Sequence, residues 1–232
     1  MIRYFSKKEV WPEFFNRGAK IIAVEIDRDL FSILAKKFSD KKNIEVLNED
    51  ALKIPYEDLV KRFEKRLKVV ANLPYNISTP ILFKFLDSKD VFTTLILMLQ
   101  KEVAQRLAAK PSCKDYGVLS IFVQMFMDVE IGFMVPNSAF YPTPNIDSAV
   151  VRFDVLNEPR AKIEDIGIFK RLVRAAFGQR RKTLSNALKS LNIAQENISK
   201  AFELANIDAK RRGETLSIEE FARLSNFIYR AS

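Results

Sequence analysis

Lys20-Ile21-Ile22-Ala23-Val24-Glu25-Ile26-Asp27 is the stretch of sequence that decides the fold. Its apolar run is short and rich in β-branched residues, which is typical of a strand buried on both faces, and it ends in two acids. Asp29 is expected to cap a following amphipathic helix that ends near Phe38. A strand followed directly by a helix is the repeating unit of a parallel sheet.

The same alternation continues outward from this unit. Further strands are predicted at Ile44–Leu47, Leu67–Ala71 and Thr94–Leu99, with helices at Thr79–Leu86 and Lys101–Lys110. Two more strands, Val129–Val135 and Ser148–Val155, flank a proline-rich loop and resemble an antiparallel hairpin that closes the sheet. This part of the chain therefore predicts an α/β fold with a mostly parallel sheet covered on both faces.

Beyond about residue 157 the sequence predicts only helices. They cover Phe169–Phe177, Lys182–Leu191, Ile198–Leu204 and Ile218–Tyr229. We therefore expect an α/β domain over residues 1–156, followed by a small, basic, all-helical domain over residues 157–232.

The composition excludes several classes of chemistry. The 232-residue chain has one cysteine, no histidine and six glycines. It therefore lacks an internal disulfide framework, a cysteine- or histidine-built zinc site and an imidazole base, and its glycines are too far apart for a phosphate-binding glycine loop. No apolar run reaches the roughly 18 residues that cross a bilayer, and the first residues do not form a signal peptide. We expect a cytoplasmic protein without a membrane partner or a metal.

The net charge of +9 is concentrated in the last third of the chain, where residues 157–232 contain 15 basic and 9 acidic side chains. No acid lies between Asp165 and Glu196. The basic residues of this stretch include Arg180, Arg181 and Lys182. Such a stretch favours a polyanion, most simply nucleic acid, and a solvated helix face is the alternative.

Polar residues stand at the ends of three predicted strands: Glu25, Asp50 and Asn72. In an open α/β sheet, ligands bind beyond the carboxyl ends of the strands. Carboxylates at such positions accept hydrogen bonds from ribose hydroxyls or from an adenine amino group. A helix cap or a solvated loop acid is the alternative interpretation of Glu25 and of Asp50.

Asn72-Leu73-Pro74-Tyr75 suits a reaction at an exocyclic amine of a base. The N6 lone pair of adenine is delocalised into the ring, so two acceptors on its hydrogens would localise that pair for attack on a methyl group. The Asn72 amide oxygen and a backbone carbonyl of Leu73 or Pro74 could be those acceptors, and their effect grows as positive charge develops. Tyr75 offers a face for stacking. An Asn-x-Pro turn with an incidental tyrosine is the alternative.

Seven elements carry a resemblance to a known family. They are Val24–Asp27, Asn48–Leu52, Asn72–Ser78, Gln100–Ala104, Phe140–Pro144, Asp147–Val151 and Arg180–Leu184. In this order and spacing, from about Arg17 to the C-terminus, they resemble the ribosomal RNA adenine dimethyltransferases. These enzymes modify two adjacent adenosines of small-subunit RNA with S-adenosylmethionine.

The resemblance implies a Rossmann-like methyltransferase sheet, S-adenosylmethionine as cofactor, and a monomer that acts on small-subunit (16S) ribosomal RNA or a precursor of the small ribosomal subunit. It also implies roles for individual residues. Glu25 would hold the ribose of the cofactor and Asp50 its adenine, with Ile26 and Ala51 alongside. Asn72 would bridge the cofactor and the target amine, with Leu73 and Pro74 as backbone acceptors. Tyr75 and Phe140 would sandwich the flipped adenine, and Arg180, Arg181 and Lys182 would bind phosphates of the RNA.

The chain departs from the family pattern at its start. Family members normally have a Gln-Asn-Phe-Leu element and a first strand that ends in Glu-x-Gly-x-Gly. Here Trp11–Lys20 looks like the helix after that loop, and Met1–Val10 contains no glycine. A truncated chain, a segment omitted from the sequence and a natural loss are three explanations. The alternatives to an active enzyme of this family are a catalytically disabled RNA-binding or ribosome-assembly protein of the same fold, a large-subunit RNA adenine methyltransferase and a DNA adenine methyltransferase.

Overall fold

A computed structural model describes residues 19–231 of the chain. The strands are β1 (Ile21–Val24), β2 (Ile44–Leu47), β3 (Leu67–Asn72), β4 (Phe92–Gln100), β5 (Met127–Val135) and β6 (Ser148–Val155). The helices are α1 (Arg28–Lys37), α2 (Tyr56–Phe63), α3 (Ser78–Asp87), α4 (Lys101–Leu107), α5 (Val118–Gln124), α6 (Ile166–Gly178), α7 (Leu184–Ala187), α8 (Gln195–Ala205) and α9 (Ile218–Ala231). The segment Met1–Val10 and most of the helix expected over Trp11–Lys20 lie outside the described residues.

The described strands form two sheets. β1 and β2 pair in parallel, with Ile21 opposite Ile44 and Val24 opposite Leu47. The second sheet has the order β3-β4-β6-β5, and its outer pair, β5 and β6, is the antiparallel hairpin that the sequence predicts. The strand predictions are confirmed, whereas the division of the strands between two sheets was not indicated by the sequence pattern.

Contacts divide the chain into two compact units. Residues 19–92 and 97–99 belong to the first unit, and residues 93–96 and 100–231 to the second. The boundary predicted near residue 157 stays a prediction.

Each unit has an apolar core of its own. In the first, the rings of Tyr56, Phe85 and Phe92 meet with centroids 5.2–5.5 Å apart. In the second, the ring of Phe169 from α6 packs against that of Phe122 from α5, 6.2 Å away, and both side chains are buried. The helical tail therefore shares a core with the segment that precedes the hairpin.

The cap of α1 differs from the expectation. Asp27, not Asp29, is the capping residue, because Asp27 has an extended backbone and its Oδ1 accepts hydrogen bonds from the N–H groups of Asp29 and Leu30. An aspartate just before the first turn reaches those amides, whereas Asp29 already lies inside that turn.

Two helices, α2 and α5, have no counterpart in the sequence prediction. α2 follows Pro55 without a side-chain cap, and the acids of its first turn, Glu57 and Asp58, are the start signal that the sequence prediction missed. α5 is a buried run, Val-Leu-Ser-Ile-Phe-Val-Gln, which periodicity cannot distinguish from a strand. The helix predicted over Lys182–Leu191 is shorter, since α7 gives way to a 3-10 turn at Leu188–Leu191. No helix in the described part of the chain has both the length and the apolar character that membrane crossing requires.

Candidate functional site

The ends of β1 and β2 bring two of the predicted cofactor positions to one edge. The strands are parallel, so their carboxyl ends lie on the same side. The Glu25 N–H donates to the Leu47 carbonyl at 3.0 Å, and Asn48 Nδ2 donates to the carbonyls of Glu25 and Ile26 at 2.9 and 3.3 Å. These bonds fasten the end of β1 to the loop after β2, which continues to Asp50.

Glu25 is a buried carboxylate held in a fixed orientation. Its side chain is 1% exposed, and its Oε1 accepts a hydrogen bond from the Asp27 N–H at 2.9 Å. Ile26, by contrast, is 57% exposed at the same strand end and offers apolar surface there. An acceptor and an apolar contact therefore lie side by side at this edge.

The loop after β2 is shaped by hydrogen bonds around Asp50. Asp50 Oδ1 accepts from the Leu52 N–H at 3.0 Å, and the Tyr56 hydroxyl donates to the Ala51 carbonyl at 2.8 Å. Burial raises the pKa of Tyr56, and the negative charge of Asp50 raises it further, so the hydroxyl stays protonated as a donor.

This donor and acceptor set fits a nucleoside. Ribose hydroxyls and an adenine amino group donate hydrogen bonds, and carboxylates such as those of Glu25 and Asp50 are groups that can accept them. The exposed Ile26 side chain suits the apolar faces of an adenine ring. The residues present therefore match the nucleoside part of S-adenosylmethionine.

The Asn72-Leu73-Pro74-Tyr75 element leads from β3 into α3. Asn72 is the last residue of β3, and Tyr75 begins a 3-10 turn that runs directly into the helix. The Pro74 carbonyl accepts from the Ile77 N–H and from Ser78 Oγ, both at 3.1 Å. Among the described turn and loop bonds, none ends on the Leu73 carbonyl. Of the two carbonyls, the one that the described turn bonds engage is that of Pro74.

Phe140 belongs to the second unit and lies in the loop that joins β5 to β6. Its N–H donates to the Asn137 carbonyl at 3.2 Å, and its own carbonyl accepts from Thr143 Oγ1 at 3.3 Å. Phe140 is half-buried, whereas the next side chain, Tyr141, is 99% exposed. The loop thus holds the Phe140 backbone on both sides.

The three basic residues singled out in the sequence have different surroundings. A guanidinium nitrogen of Arg180 donates to the carbonyls of Lys114 and Tyr116 at 2.8 and 3.1 Å and lies 3.4 Å from a Glu214 carboxylate oxygen. Arg181 and Lys182 are exposed. Arg180 therefore ties loops of the second unit together, while its two neighbours face solvent.

Two further basic residues lie beside this turn and were missed in the sequence. The N–H groups of Leu184 and Ser185 donate to the carbonyls of Arg211 and Ala209 at 2.8 and 3.1 Å. The segment with the exposed Lys210 and Arg212 therefore pairs with residues that follow the exposed Arg181 and Lys182 closely in the chain. The basic run Lys210-Arg211-Arg212 is visible in the sequence, but its pairing with a turn some thirty residues earlier is a property of the fold.

A close approach holds the same loop on α6. A Cβ built on Gly213 would lie 2.9 Å from both the Cβ and the carbonyl oxygen of Ala176. Only glycine fits that spacing.

Within residues 19–231, no cluster of cysteine, aspartate and glutamate has the arrangement of a metal site.

Comparisons with known proteins show the family of the chain. A family model described as ribosomal RNA adenine dimethylase matches residues 12–230. The chain is 46% identical, over 93% of its length and 78% of the relative's, to ribosomal RNA small subunit methyltransferase A of Clostridium acetobutylicum. It is 49% identical to the protein of the same name from Geobacter metallireducens, over 90% and 78% of the two chains.

Two solved structures are similar in fold. A dimethyladenosine transferase from Plasmodium falciparum aligns with a TM-score of 0.69 and 26% identity over 88% of this chain and 80% of that one. The 23S rRNA methyltransferase ErmE aligns with a TM-score of 0.66 and 22% identity, over 90% and 82% of the two chains. The Rossmann-like fold expected from the sequence is confirmed.

Proposed function

This chain belongs to the ribosomal RNA adenine dimethylase family, and we propose from that premise how its residues divide the work of the reaction. The chain is an S-adenosylmethionine-dependent methyltransferase that modifies N6 of two adjacent adenosines in small-subunit (16S) ribosomal RNA. The observation that carries the assignment of roles is the set of acceptors at the carboxyl ends of β1, β2 and β3.

Glu25 and Asp50 hold the cofactor through its ribose hydroxyls and its adenine amino group, and Ile26 and Ala51 line the same edge. The fixed orientation of the Glu25 carboxylate and the hydrogen-bonded turn around Asp50 support these roles. S-adenosylmethionine, when bound, supplies the electrophilic methyl group. Acceptors that are already in place lose little entropy when the ligand binds.

Asn72 and the Leu73 carbonyl accept hydrogen bonds from the two N6 hydrogens of the target adenosine. These bonds localise the nitrogen lone pair and become stronger as positive charge develops on the nitrogen, so they lower the barrier more than they tighten ground-state binding. One N6 hydrogen then leaves as a proton to solvent. The Pro74 carbonyl accepts the hydrogen bonds of the turn, so the Leu73 carbonyl serves the substrate amine. Tyr75 and Phe140 stack on the extruded base.

Arg181 and Lys182 contact ribosomal RNA phosphates, together with Lys210 and Arg212. Their exposure and the backbone bonds that bring the two segments together support this role. Phosphate contacts position the protein on its RNA without reading the sequence. Arg180 contributes by holding the loops beneath this surface.

We propose that the chain acts as a monomer in the cytoplasm on small-subunit precursors, and sedimentation equilibrium would measure its mass.

The Asn72→Ala variant tests the proposed chemistry. We expect methyl transfer to unmethylated small ribosomal subunits to fall by about 10²–10³-fold in kcat, because one of two preorganised acceptors is lost. RNA affinity should persist. Asn76→Ala is the matched control, since Asn76 is exposed four residues further along the same element. Transfer at the wild-type rate in Asn72→Ala would overturn the assignment.

A further inference from the structure

The loop that carries Phe140, residues 136–147, is closed at its base by one carboxylate. Asp147 Oδ1 accepts a hydrogen bond from the Asn137 backbone N–H at 3.1 Å. Because Asn137 and Asp147 stand at opposite ends of the loop, this bond joins its two ends. The contact is partly buried, so an N–H group that lost its partner there would be costly.

Asp147 also fastens the loop to the end of β4. The Lys101 N–H donates to the Asp147 carbonyl at 3.0 Å, and Lys101 Nζ lies 3.7 Å from Asp147 Oδ2. Lys101 is the first residue of α4 and follows β4 directly. The ion pair is exposed on both sides and contributes little by itself. The backbone bond and the bond to Asn137 therefore set the position of the loop.

Within the loop, Asn137 passes this constraint on to Phe140. Its carbonyl accepts from the Phe140 N–H at 3.2 Å, and its side-chain Nδ2 donates to the Pro144 carbonyl at 3.2 Å. A continuous series of hydrogen bonds thus runs from Asp147 through Asn137 to the backbone of Phe140.

We propose that Asp147 is a positioning residue for methyl transfer, which holds the loop and the backbone of Phe140 so that the Phe140 ring meets the target adenine. The proposal rests on the role of Phe140 in the proposed function. Asp147 touches neither the reacting atoms nor the RNA, and its carboxylate acts on the geometry of the stack. A misplacement of about 1 Å at a reacting group can cost about 10²-fold in rate.

The test compares variants of the full chain in methyl transfer from labelled S-adenosylmethionine to unmethylated small ribosomal subunits. Asp147→Ala should lower kcat/KM by about 10- to 100-fold with the affinity for S-adenosylmethionine unchanged. Asp147→Asn keeps an oxygen that accepts from the Asn137 N–H and should recover most of this loss. Asn145→Ala, an exposed change in the same loop, is the matched control. Equal activity of Asp147→Ala and Asn145→Ala would overturn the proposal.

A double-mutant cycle separates positioning from a general structural effect. If Asp147 acts through Phe140, then Asp147→Ala should lower the activity of Phe140→Ala by less than about twofold. If the loss of activity in the double variant equals the product of the losses in the two single variants, the proposal is overturned. Wild-type transfer by Phe140→Ala would instead refute the stacking role of Phe140, while the chain would remain a methyltransferase.

A second pair of variants serves if Asp147→Ala does not fold. Asn137→Pro removes the N–H that Asp147 accepts, whereas Asn137→Ala removes only the side-chain bond to Pro144. The proline variant should lose about tenfold more activity than the alanine variant. Equal activity in the two variants would overturn the proposal.

Discussion

Helices α1 and α6 show how differently the two regions of the molecule are built. α1, next to the proposed cofactor edge, has no buried residue, whereas α6 in the second unit buries Phe169, Leu172, Val173 and Ala176. Near the cofactor edge the loops are shaped by polar bonds to Glu25, Asp27 and Asp50. The second unit is held by an apolar core. Both units have buried apolar side chains, so the difference lies in the elements around the proposed cofactor edge, where polar bonds shape the loops, whereas α6 is anchored by buried side chains.

The largest expected effect is the cost of truncating an apolar side chain in each region. Phe169→Ala should lower the free energy of unfolding by about 3–5 kcal/mol, because the ring is fully buried against Phe122. Val70→Ala in β3, where Val70 is 58% exposed, should change it by about 0.5 kcal/mol. Urea unfolding of the two variants measures both values. Equal losses would contradict the burial of Phe169 and the exposure of Val70.

A smaller effect separates the roles of Arg180 and Arg181. In a plot of the logarithm of RNA affinity against the logarithm of salt concentration, Arg181→Gln should make the slope shallower by about 0.7–0.9, because one phosphate contact is lost. Its stability should be unchanged. Arg180→Gln should instead lower stability by about 1 kcal/mol through lost bonds to Lys114 and Tyr116. Fluorescence anisotropy over a range of KCl and urea unfolding provide the two measurements. The reverse pattern would assign the phosphate contact to Arg180.

The smallest effect concerns the acid stability of the second unit. Burial alone would raise the pKa of Glu220, but hydrogen bonds from Arg211 and from the Ser217 N–H outweigh it, so the pKa is lowered from its ordinary 4.5. The ionised form is therefore favoured by folding. Its contribution is fully present above pH 4.5 and is lost as the pH falls through the lower folded pKa. Urea unfolding between pH ~6 and ~3 should show a shallower loss of stability in Glu220→Gln than in the wild type. Identical slopes would contradict the assignment.

Local patterns in the sequence were sufficient to predict most of the fold. Ile21–Val24 and Leu67–Asn72 are recognisable as strands because β-branched runs occur between turn residues. Asp27 rather than Asp29 caps α1, because the cap depends on backbone dihedrals that composition does not reveal. α5 has an apolar, strand-like sequence and is helical through its packing with α6 and β5.

The site was predictable only in part. Strand ends singled out Glu25, Asp50 and Asn72 as candidates, since polar residues after predicted strands are local signals. The sequence could not distinguish Leu73 from Pro74 as acceptor, because Ser78 takes the Pro74 carbonyl only once α3 has formed. The same holds for Arg180, whose partners lie 34 to 66 residues away. Contacts of that range are set by tertiary structure.

Calorimetric titration of this chain with S-adenosylmethionine tests the central claim most directly. We predict saturable binding of one cofactor per chain, and loss of that binding in Asp50→Ala while RNA affinity is retained, because the proposed cofactor residues lie in the first region and the proposed phosphate contacts in the second. A folded wild-type chain that takes up no S-adenosylmethionine, or an Asp50→Ala variant that binds it as tightly as the wild type, would contradict this account.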